Sequence, residues 1–358
     1  MQCASRRLAR FFLPEPPGRP QRGNMFSRFL LHLVIACALL ALGARADAVL
    51  VVRFSHVVTE DTPKGLAAKR FKELVEKRSQ DRIRVDIYPR STLYDDSDEM
   101  LALQLGAVEI LAPSLSKFGK FGFPSFELFD LPFLFRNIDE VHRITEGPVG
   151  KGLLKELSRQ EFLGLGYMDN GFKHMSANRP LLQAADFKGL RMRIQPSRVI
   201  ASQMQALGAR PIPLALSETR TALARKVVDG TENPLSNFVT QRINEVQTDI
   251  TLTNHGYLGY AVVTNQRFWR SLSEDDRLIL EGAMAEALVY GNQLTASHDE
   301  RALATLRASH TTRIHVPNDA QRAGLEAAMK PVYESAKTRI GAKLLDRVLL
   351  EVSEQRRR

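Results

Sequence analysis

The chain has 358 residues, of which 44% are hydrophobic and 25% are charged, and its formal net charge is +10. This balance is typical of a globular protein and excludes disordered, collagen-like and disulfide-stapled chains. The length predicts two α/β lobes rather than one small domain.

The positive charge is concentrated in the first 46 residues, which hold seven basic residues and one acid. The remainder has 43 basic against 39 acidic residues, so its charge is close to neutral and does not indicate a nucleic-acid partner. Both cysteines, Cys3 and Cys37, lie in this leader. The mature chain therefore has no disulfide, cysteine zinc site or thiol nucleophile.

The leader has the pattern of a secretory signal peptide. Residues 29–42 form an apolar run that is shorter than the ~20 residues of a membrane-spanning helix, and an A-x-A site at 44–46 follows it. We expect cleavage after Ala46 and export to the periplasm, with residues 1–24 interpreted as a misplaced gene start before Met25. A retained membrane anchor and lipidation at Cys37 are the alternatives.

The mature chain opens with alternating strands and helices. Strands are predicted at 49–55, 82–88 and 108–114, with helices at 62–79 and 95–105 between them. The order β-α-β-α-β predicts a parallel sheet with helices on both faces. Residues 117–135 then place phenylalanines among glycines and prolines, which fits either a loop packed into the core or one wall of a cleft.

The second half of the chain repeats the β-α-β pattern. Strands are predicted at 162–168, 190–194, 210–214, 227–232, 247–253, 257–264 and 312–316, and helices at 137–157, 197–207, 217–225, 273–308 and 319–352. No Gly/Ser-rich linker separates the halves, so we expect the chain to cross between two lobes more than once. Such crossings create a hinge and a cleft.

No motif of a known catalytic or metal site occurs. The chain lacks the nucleophile elbow, the zinc-protease helix motif, the phosphate-binding P-loop and the EF-hand, and none of its eight histidines form a helical i, i+4 pair. We therefore expect no catalytic residue, no metal and no cofactor.

Polar residues do follow several predicted strands. The segment 169–179 comes after one strand, Arg193 ends another, and Asn233 precedes a Pro-initiated turn. Ligands of open α/β sheets bind at the carboxyl ends of the strands. A guanidinium, an ammonium and an amide at this edge suit a small carboxylate.

These segments resemble the solute-binding proteins of TRAP (tripartite ATP-independent periplasmic) transporters, in their C4-dicarboxylate-binding branch. The resemblance covers residues 47–352 and is carried by 54–56 together with 62–65, and by four further segments at 169–178, 189–193, 229–234 and 254–260. It implies a two-lobe α/β fold with crossing strands, an interlobe cleft and a long helix along one side. It also implies that a small organic acid closes the lobes, and that a TRAP permease in the membrane recognises the closed form.

The resemblance also implies roles for individual residues. Arg193 stands where the family keeps its ligand-clamping arginine, and Asn233 stands at its ligand-contacting asparagine. Lys173 occupies a position where sialic-acid-binding members have a second arginine, which favours a dicarboxylate such as succinate, malate or fumarate. The expected lobes are 47–170 with 259–298, and 171–258 with 299–352, followed by a basic tail at 353–358.

A dicarboxylate needs a second positive site. Lys173 and Lys64 are the candidates, and additional donors and cleft-wall residues are expected at His56, Ser114, Phe172, Leu216, His255 and Tyr257. Each of these side chains could instead serve an ion pair, a helix cap or the core.

Two other functions fit the sequence. A periplasmic enzyme acting on a carboxylate would need an acid or base beside Arg193, for which Glu232 or Asp169 could serve. A receptor feeding a sensor kinase would share the same binding step. We expect a monomer.

Overall fold

The structure is a computed structural model that describes residues 49–357. The predicted signal peptide, its cleavage site and both cysteines lie outside this part of the chain. Within it the strands are β1 (Leu50–Ser55), β2 (Ile83–Tyr88), β3 (Ile110–Leu111), β4 (Phe162–Ala177), β5 (Arg191–Ile194), β6 (Arg210–Pro213), β7 (Gly230–Asn233), β8 (Asp249–Asn265) and β9 (Arg313–His315).

The α-helices of the same part are α1 (Pro63–Ser79), α2 (Glu99–Leu105), α3 (Ile138–Glu146), α4 (Pro148–Glu156), α5 (Arg198–Ala206), α6 (Leu216–Ala224), α7 (Leu235–Thr240), α8 (Gln266–Ser271), α9 (Glu274–Ser309), α10 (Asp319–Met329), α11 (Pro331–Ile340) and α12 (Ala342–Arg357). Short 3₁₀ helices occupy Leu115–Phe121, Pro124–Asp130, Leu157–Gln160, Ala184–Phe187 and Ile243–Glu245. No helix between residues 49 and 357 combines the length and the apolar content that crossing a bilayer requires.

The strands form one mixed sheet in the order β2-β1-β3-β8-β4-β7-β5-β6, and β9 pairs with β8. Strands β1, β2 and β3 pair in parallel at one end, and β5, β6 and β7 pair in parallel at the other. These parallel ends confirm the two predicted β-α-β units. The α/β fold class predicted from the sequence is therefore confirmed.

The two central strands cross from one end of the sheet to the other. β4 and β8 pair antiparallel over most of their length; β8 also pairs with β3 near its C-terminal end, and β4 pairs with β7 near its own. The sequence predicted a strand of only 162–168 here and two separate strands in place of β8, and both predictions were wrong. Register shifts in β4, one of them between Asp169 and Gly171, and the positive φ of Asn254 in β8 interrupt the simple alternation that marks a strand.

The phenylalanine-rich segment folds into two 3₁₀ helices rather than an irregular loop. Phe118 and Phe126 stack with ring centroids 4.6 Å apart, and both are fully buried. They share a hydrophobic core with residues of α3, α5 and α12. Most of this segment is therefore core, while Phe121 borders the cavity described below.

The long helix α9 was predicted almost to the residue. The Ser273 side chain caps it by accepting from the Asp276 N–H, and three acidic residues occupy its first turn. Gly291 lies where α9 meets α1: a Cβ there would be 2.8 Å from Ala67 Cβ, so only glycine allows this approach.

The C-terminal region differs from its prediction. The stretch predicted as helical at 319–352 is three helices, broken before Pro331 and at Gly341. The predicted basic tail is, through Arg357, the last turn of α12, where Arg356 donates to Glu140 Oε1 at 2.8 Å.

Candidate functional site

Arg193 is a fully buried guanidinium on β5, only 2% exposed. Its Nε and Nη2 both donate to the carbonyl oxygen of Leu214, at 3.0 and 2.7 Å. No carboxylate lies within 4.0 Å of it among residues 49–357. Burial lowers the pKa of Arg193, and the fields of Asp96 and Glu232 oppose that shift. The site thus contains a guanidinium that donates to a backbone carbonyl but has no carboxylate partner within the described part of the chain.

Lys173 and Glu232 form a buried ion pair next to this site. Lys173 Nζ lies 2.9 Å from Glu232 Oε1 and 3.8 Å from Asp130 Oδ1. His255 Nε2 lies 2.9 Å from the other oxygen of Glu232, and its Nδ1 bonds Thr253. Burial alone would raise the pKa of Glu232, but Lys173 and His255 outweigh that effect and lower the pKa to about 2. Glu232 therefore remains charged and balances Lys173.

Lys64 is a second buried cation, at the first turn of α1. Its Nζ donates to the Ala112 carbonyl oxygen at 2.9 Å and lies 3.5 Å from the centroid of the Tyr260 ring. Among residues 49–357 no carboxylate lies within 4.0 Å of Nζ. Burial lowers the pKa of Lys64 to about 7. The charge of Glu99 only partly opposes this shift, and among the described residues the ammonium has no direct ion-pair partner.

His56 lies close to Lys64 and has no hydrogen-bond partner for either ring nitrogen within the part of the chain that the structure describes. Burial, and then the charge of Lys64, lower the pKa of His56 to about 3, so the ring is neutral. The Asn237 side-chain oxygen is also buried and unpartnered there. Unsatisfied buried polar groups of this kind are costly unless a ligand or water completes them.

A cavity of about 170 Å³ opens between the two ends of the sheet. One wall contains Asp96, Ser97, Lys117, Lys120 and Phe121, and the opposite wall contains Pro196, Pro213, Leu214, Ala215 and Glu218. Leu216 packs on Val57 and Val58 across this gap. The predicted cleft-wall residue Leu216 thus lies at the meeting point of the two ends.

The remaining predicted residues lie near these groups but have partners in the protein. Asn233 Nδ2 lies 3.5 Å from Thr231 Oγ1, and Ser114 Oγ accepts from the Ser116 N–H at 3.4 Å. The Tyr257 hydroxyl donates to Asp169 Oδ1, and Phe172 packs on the Tyr257 ring with centroids 6.2 Å apart.

Sequence reasoning missed Asp96, Asp130, Asn237 and Tyr260. Tyr260 ends the segment 254–260 that carries the resemblance, but nothing in the local patterns of the other three distinguishes them, because their environment is created by segments distant in the chain. No cluster of three or more His, Cys, Asp or Glu side chains that could hold a metal occurs between residues 49 and 357.

The chain is similar to known proteins in both sequence and fold. A model of the bacterial extracellular solute-binding proteins of family 7 matches residues 54–339. The C4-dicarboxylate-binding periplasmic protein DctP of Rhodobacter capsulatus is 46% identical over 333 residues, which is 92% of this chain and 100% of that protein.

Two solved structures resemble the chain closely. A TRAP periplasmic solute-binding protein from Shewanella oneidensis with bound succinate is 40% identical, with a TM-score of 0.83 over 85% of this chain and 99% of that one. Another from Pseudomonas aeruginosa PAO1 with bound L-malate is 38% identical, with a TM-score of 0.78 over 80% of this chain and 99% of that one.

Proposed function

Because the chain belongs to the bacterial extracellular solute-binding proteins of family 7, in their C4-dicarboxylate-binding TRAP branch, we propose that it captures a C4-dicarboxylate. Succinate, malate and fumarate are the proposed ligands. The observation that carries the proposal is the presence of two buried cations, Arg193 and Lys64, that lack a carboxylate partner among the described residues.

Arg193 binds one carboxylate of the ligand. Its planar guanidinium offers paired donors that match two carboxylate oxygens, and Leu214 uses only part of that capacity. A buried guanidinium without a counterion is unfavourable, and an anion in the cleft removes that penalty. The Asn233 amide lies on the neighbouring strand β7 and adds a donor.

Lys64 binds the second carboxylate. Lys173 was the other candidate from the sequence, but its charge is already balanced by Glu232 and Asp130. Lys173 and His255 therefore contact Glu232 and stabilise its charge rather than binding the ligand directly. The other predicted residues complete the site, with His56 and Ser114 as donors near Lys64, and with Phe172, Leu216 and Tyr257 as walls.

Closure of two lobes accompanies binding. The proposed lobe I is 47–170 with 259–298, and the proposed lobe II is 171–258 with 299–352. The proposed boundary coincides with the register shift between Asp169 and Gly171, which pair with Gly259 and Leu258. An irregular position in two crossing strands is a suitable hinge. The ligand bridges cations on both sides and so favours the closed state.

Binding occurs without chemistry on the ligand. The two acids that an enzyme could use already have partners: Glu232 holds Lys173 and His255, and Asp169 accepts from Tyr257 and His142. The protein is exported with its leader removed, acts as a monomer, and delivers its ligand to TRAP permease subunits in the membrane.

A ligand screen tests the proposal. The chain from residue 47 onward is mixed with succinate, L-malate, fumarate and the monocarboxylate butyrate, and binding is measured by thermal shift and calorimetry. We expect dissociation constants for the dicarboxylates in roughly the micromolar range, which corresponds to a binding free energy of about −8 kcal/mol. Butyrate should bind more weakly. NMR should recover each acid chemically unchanged. Failure of all three dicarboxylates to bind would refute the proposal.

A further inference from the structure

Asp96 makes a hydrogen bond across the cleft that the ligand site does not explain. It lies between β2 and α2, on the lobe I wall of the cavity, and its side chain is 11% exposed. Its Oδ2 accepts from the backbone N–H of Leu216 at 2.5 Å, a residue 120 positions away in lobe II. This bond joins the two walls directly.

The donor is the first residue of a nine-residue helix, α6, whose opening N–H groups have no partner within the helix. Glu218, within the helix, accepts from the Ala215 N–H at 3.2 Å, so the N–H group just before the helix already has a partner. The Leu216 N–H is completed by Asp96 instead. A carboxylate at this end of a helix is also favoured by the helix dipole.

The acceptor is held firmly from the lobe I side. Lys117 Nζ bonds both Asp96 and Glu99, and the Lys117 and Glu99 side chains are only 3% and 1% exposed. Burial alone would raise the pKa of Asp96. Lys117, the Leu216 N–H and Arg193 outweigh that effect and lower the pKa to about 2. Asp96 is therefore a fixed, charged acceptor facing the other lobe.

The donor is tied to the ligand-binding arginine. Arg193 donates twice to the Leu214 carbonyl oxygen, and Leu214 is two residues before Leu216. The position of the Leu216 N–H is therefore linked to the guanidinium through one short backbone segment. An arginine ordered by its ligand also orders the donor that Asp96 accepts from.

We propose that the Asp96–Leu216 hydrogen bond is a latch that forms when the lobes meet and stabilises the closed state. The inference rests on the proposed function, because it assumes closure around a bound acid. Asp96 acts as a positioning residue and need not touch the ligand. Since apparent affinity scales with the population of the closed form, the latch strengthens binding of every ligand by the same factor.

Leu216→Pro tests the latch, because it removes the backbone N–H together with the leucine side chain, and the loss of the side chain is controlled separately. Proline is favoured at the first position of a helix, and Ala215, at φ −60° and ψ 154°, already has the conformation that a residue before proline adopts. The matched control is Leu216→Ala, which keeps the N–H and also loses the leucine contacts. An independent pair is Asp96→Asn against Glu99→Gln, since both change one carboxylate of the Lys117 cluster but only Asp96 reaches lobe II. This pair is compared with butyrate, because the charges of Glu99 and Asp96 also act on Lys64, the proposed partner of the second carboxylate.

Two readouts are combined. Calorimetry gives the dissociation constants of succinate and butyrate, and spectroscopic distances between labels at E73C in lobe I and Q205C in lobe II report closure. The chain after residue 46 has no cysteine of its own, so both labels are specific.

We expect L216P to bind both acids about 10- to 100-fold more weakly than L216A, and to be less closed, with the succinate-to-butyrate ratio unchanged. D96N should weaken butyrate relative to E99Q. Equal affinity and closure of L216P and L216A would overturn the latch while leaving the proposed function intact. Failure of the unsubstituted protein to bind either acid would instead refute the proposed function.

Discussion

Lys64→Met tests the proposed contact between Lys64 and one of the two carboxylates of a C4-dicarboxylate. Methionine keeps the apolar stem of Lys64 but removes the charge that lies 2.9 Å from the Ala112 carbonyl and 3.5 Å from the Tyr260 ring. Removing one partner of a buried charge-assisted pair costs about 2–4 kcal/mol, so the succinate dissociation constant should rise roughly 30- to 1000-fold. Butyrate has the same carbon count but one carboxylate, and its affinity should change little.

Calorimetry with both acids on both proteins gives a thermodynamic cycle, whose coupling term isolates the contact between Lys64 and the second carboxylate. Lys72→Met is the matched control, because Lys72 lies on the same helix but bonds Glu76 and the Val85 carbonyl, away from the cleft. The thermal midpoint of the Lys64 variant without ligand should not fall, since an uncompensated buried charge is lost.

Two results would refute this reasoning. Equal losses for succinate and butyrate would mean that Lys64 supports the cleft as a whole rather than one carboxylate. Unchanged succinate binding in the Lys64 variant, together with a selective loss in Lys173→Met, would place the second carboxylate at Lys173.

Three further predictions follow from the same contacts. Arg193→Lys should weaken every acid by roughly 2–4 kcal/mol in calorimetry and leave chemical unfolding nearly unchanged, because lysine cannot supply the paired donors. The pKa of Lys64 is about 7, so the ammonium is charged below that pH and neutral above it. The succinate association constant should therefore fall by up to about tenfold per pH unit above pH 7, whereas a flat profile for succinate would contradict this. Gly171→Ala should destabilise the fold by roughly 1–3 kcal/mol in urea titration, because φ is +121° and a Cβ would lie 2.5 Å from Asp299 Oδ2. Wild-type stability in that variant would show that strand β4 can adjust to a side chain at this position.

Local pattern was enough to predict both parallel ends of the sheet. Strands β1, β2 and β5 alternate or are rich in β-branched residues, and α1 and α9 have clear capping residues, so their signals depend on near neighbours in the chain. The crossing strand β8 was divided in two at Asn254, because its length is imposed by pairing with β4 rather than by its own composition.

The sequence by itself determined that this is an α/β protein of the solute-binding type, with Arg193 at the carboxyl end of a strand. These features could be predicted because the residues that produce them are close together in the chain. Only the tertiary structure decided which lysine keeps a free charge. Lys173 meets Glu232, 59 residues away, whereas Lys64 meets a carbonyl and an aromatic ring. Ion pairing depends on distances of a few ångströms between residues far apart in the chain, and these exist only once the sheet has formed.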